Sequence, residues 1–277
     1  MSDRPARAGV YKEISSLSNP VIKDIRGLSQ RKNRSVTNLF LAEGLKLVAD
    51  AVDAGWPIQT FVFGKKVADT PLVQRLAAKT KASGGMVLEV TDQVLSKIAR
   101  RDNPQMVVGV FEQLWGHVTA VKPDNRDLWV ALEGVKDPGN LGTIIRTADA
   151  AGAKGIILIG ETTDPFALEA VRATMGSVFS LPLVRLSEGD FISWAKGWCG
   201  LIVGAHLSGT DDYRSVSYAQ PTVLLMGNEQ SGLSDALAGA CTKLVKIPQA
   251  GRADSLNLAI ATGIMLFEIQ RDVLVLD

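Results

Sequence analysis

The sequence predicts an α/β protein in two parts, a smaller N-terminal α/β unit and a C-terminal unit built on a parallel sheet. Three observations carry this. Apolar runs of strand length alternate with stretches of helical spacing along the whole chain. In the second part the runs "LWVALEGV", "GIILIG", "LIVGAHL", "TVLLMG" and "KLVKIP" are apolar throughout rather than alternating, as suits strands covered on both faces. Between the parts, "GHVTAVKPDNRD" breaks the pattern with Pro, Asn and Asp. The boundaries drawn are 1–115 for the first unit, 116–125 for a linker and 126–277 for the second unit.

Within the first unit, "PVIKDIRGLSQR" places Val21, Ile22, Ile25 and Leu28 at helical spacing. "NLFLAEG" reads as a strand, "LKLVADAVDAG" as a helix stopped at Gly55, and "IQTFVFG" as a strand. "PLVQRLAAKTKASGG" is a helix with a glycine stop, and "MVLEV" and "MVVGVFEQ" are strands. In the second unit helical segments separate most of the apolar runs. Ligands of parallel sheets bind outside the carboxyl ends of the strands, so the loops following those runs are where a site is expected.

Composition narrows the function classes. With 277 residues, 46% hydrophobic and 6% aromatic, the chain has enough apolar mass for an ordinary globular core. Cys199 and Cys241 lie far apart without a CxxC pattern, which argues against a disulfide framework or a zinc site. His117 and His206 are isolated and read as surface or satisfied histidines, so no metal is expected. The opening "MSDRPARAGVYKE" is polar, and no apolar stretch reaches the roughly 18 residues of a membrane span. The expectation is a soluble cytoplasmic protein.

The net charge of +1 hides an asymmetry. Residues 1–115 hold 17 Lys and Arg against 11 Asp and Glu, a net of +6, and residues 116–277 hold 13 against 18, a net of −5. Lys23, Arg26, Arg31, Lys32 and Arg34 fall close together. Such a cluster is either a solvated helix face or the footprint of a polyanion, and the asymmetry between the two parts favours RNA or DNA.

Three loops in the second part stand out. "DPGNLGTIIRTADAAGA", residues 137–153, has a Pro138–Gly139 turn, Asn140 as a good N-cap, and a stripe of Leu141, Ile144, Ile145 and Ala148. Arg146 lies off that stripe in the second turn, where a cation opposes the helix dipole. It is either an exposed helix arginine or a bidentate holder of phosphate. Neither a G-x-G-x-x-G nor a Walker lysine is present, which removes the standard nucleotide loops and a dinucleotide-dependent oxidoreductase. "LLMGNEQSGLSDAL", residues 224–237, flanks Asn228 and Glu229 with glycines that let backbone approach a ligand, although a plain turn and cap would look the same. "KIPQAGRADSLNLAIATGIMLFEIQR" ends a strand at Pro248 and begins a helix near Ser255, its expected cap. Asn257 then falls in the first turn, where asparagine is a poor helix former. Leu256, Ala259, Ile260, Gly263, Ile264 and Phe267 share one face, read as packing.

In this order and at these strand ends, "DPGNLGTIIRTADAAGA", "MGNEQSGL" and "IPQAGRADSLNLAIA" resemble the three motifs of the SpoU/TrmH family of RNA ribose 2′-O-methyltransferases, within the SPOUT superfamily. "SLSNPVIKDIRGLSQRKNR", "FLAEGLKLVADAV" and "QMVVGVFEQ" look like the substrate-binding domain that many members carry. The resemblance implies a parallel sheet whose C-terminal segment threads into a deep trefoil knot, S-adenosylmethionine held by the knot loops, and a homodimer that completes the sites. Carried over by position, Gly227 presents backbone to the cofactor. Ile247 and Leu256 line it, helped by Met226, Pro248 and Asn257. Asn140, Arg146, Glu229, Ser255 and Asn257 match the catalytic polar positions. Arg146 is expected to hold an RNA phosphate, together with the basic cluster of the first unit.

The implied reaction is methyl transfer to a ribose 2′-hydroxyl of structured RNA, with ribosomal RNA the expected substrate because the first unit resembles a ribosomal-type domain. The alternatives are a transfer-RNA ribose, or a non-catalytic ribosome-assembly protein on the same fold. Two departures stand out: Gln230 where many members have glycine, and "SLNLAIA" in place of the commoner "SLNVSVA".

Overall fold

A computed structural model describes residues 9–252 and 254–275. Residues 1–8 of the polar N-terminal stretch and Ala253 of the third loop lie outside the described residues. The chain runs β1 (Val10–Ile14), α1 (Pro20–Gly27), α2 (Arg31–Thr37), β2 (Leu39–Glu43), α3 (Leu45–Asp53), β3 (Ile58–Gly64), α4 (Pro71–Ala82), β4 (Met86–Val90), α5 (Asp92–Ala99) and β5 (Val107–Glu112). It continues through β6 (Leu128–Glu133), α6 (Pro138–Ala150), β7 (Gly155–Ile159), α7 (Leu168–Thr174), β8 (Leu183–Leu186) and α8 (Glu188–Ala195). The last elements are β9 (Leu201–Ala205), β10 (Asp211–Asp212), β11 (Thr222–Met226), α9 (Asp235–Gly239), β12 (Lys243–Lys246) and α10 (Leu258–Ile269).

Two compact units result. The first comprises the chain up to Gln113 together with Phe166–Phe179. Its sheet has the order β1-β4-β3-β5-β2, with β5 antiparallel to both neighbours and the other pairings parallel. Four strands therefore deliver their carboxyl ends to one edge, where β5 begins. β1, "VYKEI", has no apolar pattern and exposes four of its five residues. It is an edge strand held by backbone pairing to β4, which is why periodicity does not reveal it.

The segment 166–179 belongs to this unit although it lies between β7 and β8 in sequence. Phe166 and Phe179 complete a ring cluster with Phe40, Trp56 and Phe111, and the Phe40 and Phe166 centroids are 4.6 Å apart. The Trp56 indole N–H donates to the Phe179 carbonyl at 2.9 Å. From α7, Arg172 forks onto the buried Glu43 carboxylate at 2.7–3.0 Å. A linear reading that closes the first unit at residue 115 cannot see this return.

The second unit holds a seven-stranded sheet in the order β10-β12-β9-β11-β6-β7-β8, parallel throughout. The five expected apolar runs are β6, β7, β9, β11 and β12. The two additional strands are the edges: β8 has four residues with Arg185 facing outward, and β10 has two. Residues 116–125, expected as a linker, are instead packed within this unit. Gly116 bridges to Val184, and the buried Val121 joins the core around Trp129 and Val184. No helix among the described residues is long and apolar enough to cross a membrane.

Candidate functional site

The carboxyl ends of β9, β11 and β12 open onto a cavity of about 480 Å³, within the range of small-molecule sites. Its walls come from the loop after β9, the second motif after β11, and the third motif after β12. Met226, Gly227, Ile247 and Leu256, which the resemblance assigns to the cofactor, line it, and so do Glu229 and Ser255, which it assigns to the catalytic polar positions. Pro248 and Asn257, expected on the cofactor, are not among its lining residues. His206 and Leu207 also line it, as do Asn228 and Gln249. The same strand-end rule that pointed to the other loops would have found the His206 wall, since it directly follows "LIVGA".

The second motif is shaped by two glycines and an asparagine. A Cβ on Gly227 would lie 2.1 Å from the carbonyl carbon of Gly232, so only glycine lets the two backbone segments touch. Asn228 and Gly232 exchange backbone hydrogen bonds at 2.9 and 3.0 Å, and Gly232 sits at φ +69° to close the turn. The Asn228 side chain accepts from the N–H groups of Gln230 and Ser231 and donates to the Gly134 carbonyl at 2.7 Å. This fastens the second motif to the loop after β6. Gln230 takes part through its backbone N–H, which a glycine would offer equally, so this departure leaves the loop's hydrogen bonding intact.

Glu229 reaches back to the first motif. Its carboxylate accepts from the Asn140 side-chain amide at 3.2 Å and from the N–H groups of Lys136 and Asp137 at 3.3 and 3.4 Å. Partial burial pushes this carboxyl up. The Glu229 N–H, the Asn140 amide and the two further N–H groups outweigh burial and hold it below the ordinary glutamate value. Asn140 in turn accepts from the Asn257 amide at 3.0 Å. One hydrogen-bonded line, Glu229–Asn140–Asn257, thus joins all three motifs.

Two capping assignments are corrected by this geometry. Asp137, not Asn140, caps α6 by accepting from the Asn140 N–H at 2.6 Å, which frees the Asn140 side chain for Glu229. Asn257, not Ser255, caps α10, accepting from the N–H groups of Ala259 and Ile260. Asparagine is therefore at home at 257, outside the helix proper. The apolar stripe read as packing on α10 is also corrected. The buried face holds Leu258, Ala259, Thr262, Met265, Leu266 and Ile269, whereas Ile260 and Phe267 are 56% and 49% exposed.

Arg146 is not part of the line. Because α6 starts at Pro138, Arg146 falls in its third turn, about 9 Å along the axis from Asn140. Its side chain is exposed and makes no hydrogen bond or ion pair with the described residues. In the first unit, Lys23, Arg26, Arg31 and Lys32 are exposed, but Arg34 is not. It is 3% exposed, and its guanidinium donates to the Leu28 and Ser29 carbonyls at 2.8 and 3.0 Å. Arg34 fastens the turn between α1 and α2 and is withdrawn from the expected RNA-contacting set. Among the described residues no group of three or more His, Cys, Asp or Glu could hold a metal ion.

Comparison with known proteins agrees with this arrangement. Residues 127–267 match the model of the SpoU rRNA Methylase family, and residues 19–109 match an MRM3-like substrate binding domain. The chain is 33% identical over 250 residues to a 23S rRNA (uridine(2479)-2′-O)-methyltransferase of Streptomyces viridochromogenes, covering 88% of this chain and 86% of that protein. A crystal structure of AdoMet-bound rRNA methyltransferase from Sinorhizobium meliloti superposes with a TM-score of 0.92 at 59% identity, covering 96% of this chain and 99% of that one. A SpoU methyltransferase from Streptomyces viridochromogenes in complex with AdoMet superposes with a TM-score of 0.84 at 31% identity, covering 92% and 98%. The segment that carries all three motifs lies within the family match, and this chain is a member of the SpoU rRNA methylases.

Proposed function

We propose that the protein transfers the methyl group of S-adenosylmethionine to a ribose 2′-hydroxyl of ribosomal RNA. The observation that carries this is the Glu229–Asn140–Asn257 line, which ties a cavity-lining carboxylate to both other motifs. The cavity suits the cofactor. Gly227 allows backbone contact, Met226, Ile247 and Leu256 give apolar walls for the adenosyl and methionine carbons, and Glu229 and Asp254 bring negative charge toward a cationic ligand.

Bound S-adenosylmethionine supplies a methyl group already activated on a sulfonium. The chain's own task is to orient the ribose hydroxyl and handle its proton. Glu229, kept ionised by four donors, fixes the second motif against the first and with it the cavity wall. Arg146 stays protonated and so cannot act as a base. Exposed and unpaired, it is free to fork onto a flanking RNA phosphate and to stabilise the developing alkoxide, with the proton leaving through that phosphate or solvent.

A homodimer is part of the same proposal. α10 packs on α6 and turns Ile260 and Phe267 to solvent, an apolar face that a second copy would cover. The described residues that line the cavity include no arginine, and the proposal is that the second copy supplies one, Arg146. The first unit is proposed to hold the RNA, the knotted threading of the second goes with the family, and a ribosomal RNA substrate sets the reaction in the cytoplasm. The test is calorimetric titration with S-adenosylmethionine followed by transfer of labelled methyl to ribosomal RNA. Cofactor binding with ribose methylation supports the proposal. RNA binding without cofactor binding identifies a non-catalytic assembly protein instead.

A further inference from the structure

The first unit gathers a set of uncommitted cations at a place the sequence pattern did not single out. β1, β2, β3 and β4 all end at one edge of the sheet, and β5 begins there. Lys65 directly follows β3, Lys97 lies on α5, and Arg100 and Arg101 open the loop from α5 to β5. All four side chains are exposed, and none makes a hydrogen bond or ion pair with the described residues. The neighbouring Asp92 is already engaged by Lys66 at 2.5 Å, and Asp102 adds one exposed carboxylate beside Arg101. The opposite edge differs: there Asp53 is paired with both Arg75 and Lys79.

The Arg100–Arg101 loop is also held in place. Arg172, reaching in from the returning segment 166–179, donates to the Ala99 carbonyl at 2.7 Å while forking onto Glu43. The Arg100 and Arg101 N–H groups both turn back to the Ser96 carbonyl. Arg100 itself is in the left-handed region at φ +55°, where glycine would close α5 at less cost. Two arginines are thus presented outward from a fixed backbone.

We propose that this strand-carboxyl edge, with Lys65, Lys97, Arg100 and Arg101, is a phosphate-binding surface for the backbone of folded RNA, and that Arg172 is its positioning residue. The inference rests on the RNA-methylation reading above and adds where the substrate is held. The surface suits phosphates rather than splayed bases. It carries cations, whereas the large exposed aromatic among the described residues of this unit, Tyr11, sits on β1 and bonds to Glu89. With Arg34 buried, this edge supplements Lys23 and Arg26, whose helix α1 packs on α5.

The test uses full-length protein and a large-subunit ribosomal RNA transcript. For Arg100→Ala/Arg101→Ala, RNA affinity should fall about tenfold or more at physiological salt, and the slope of log K against log salt should shrink by about 1.5 to 2. The KM for RNA should rise with kcat retained, and S-adenosylmethionine affinity should not change. Arg100→Lys/Arg101→Lys should keep most of the affinity. Arg172→Lys, which keeps charge but loses the fork, should raise the KM for RNA without lowering kcat. Unchanged RNA affinity in the alanine pair overturns the proposal, and so does a loss of affinity with an unchanged salt slope. A wild-type protein that binds cofactor but no ribosomal RNA overturns the RNA reading itself.

Discussion

Replacing Asn140 by Asp exchanges an amide for a carboxylate of the same shape at the centre of the line joining the three motifs. The new oxygen would lie about 3.2 Å from the Glu229 carboxylate, where a donor now stands. At that separation two like charges repel by about 1 kcal/mol in bulk water and about 5 kcal/mol at an effective dielectric constant of 20. Glu229 is only partly buried, so solvent screening places the cost near the lower end, about 1–3 kcal/mol. If that energy is lost from the transition state, kcat/KM falls by roughly 5- to 150-fold. The pH dependence has a definite sign. In the wild type Glu229 is held below the ordinary glutamate value, so it stays ionised through neutrality. In the variant, repulsion raises the pair, which takes up a shared proton as the pH falls, and that proton restores a donor between positions 140 and 229. Methyl transfer by Asn140→Asp should therefore be weakest at alkaline pH and recover partly as the pH falls through the acid range. Single-turnover assays across that range, beside thermal unfolding of both proteins, measure this. Wild-type activity with a wild-type pH profile would refute the role given to the line.

Five other variants test separate parts of the molecule. Arg146→Lys keeps charge but loses the fork, so methyl transfer should fall at least tenfold while calorimetric cofactor affinity holds; near-normal turnover would defeat the bidentate role. Gly227→Ala must displace the Gly232 backbone that its Cβ would meet at 2.1 Å, so it should abolish measurable cofactor binding and cost about 1–3 kcal/mol in denaturant unfolding. Arg34→Ala should destabilise the first unit by about 1–3 kcal/mol, because it leaves the Leu28 and Ser29 carbonyls without their donor. Charge reversal at the exposed Arg31 and Lys32 should instead weaken RNA binding with unfolding unchanged. Ile260→Asp/Phe267→Asp should shift sedimentation from dimer to monomer and lower activity more than cofactor affinity; a wild-type dimer in that variant would place the interface elsewhere.

Much of the second unit is legible in the sequence because its strands are buried on both faces. The runs that became β6, β7, β9 and β11 are almost wholly apolar, whereas β12 carries an exposed lysine at each end; the loops after β9, β11 and β12 hold the cavity. β1, β8 and β10 escape because edge strands form by backbone pairing and need no apolar pattern. The return of Phe166–Phe179 to the first unit escapes for another reason. It is decided by which ring cluster the two phenylalanines complete, and that is a long-range choice. Among site residues, Glu229, Asn140 and Asn257 were found by motif, but their connection was not. Ser255 and Asn140 look like caps as well as Asn257 and Asp137 do, and only backbone geometry decides which N–H groups each can reach. Arg34 shows the limit of charge patterning: a cation in a basic cluster can be spent on carbonyls of its own turn.

Ribose methylation of ribosomal RNA is the activity proposed for this chain. Its most direct test is mapping of 2′-O-methyl groups on ribosomal RNA incubated with the protein and S-adenosylmethionine, beside an Asn140→Asp control. One ribose methylated to high occupancy by the wild type and far less by the variant is the predicted result. Methyl groups found on bases, on transfer RNA alone, or equally in both reactions would contradict it.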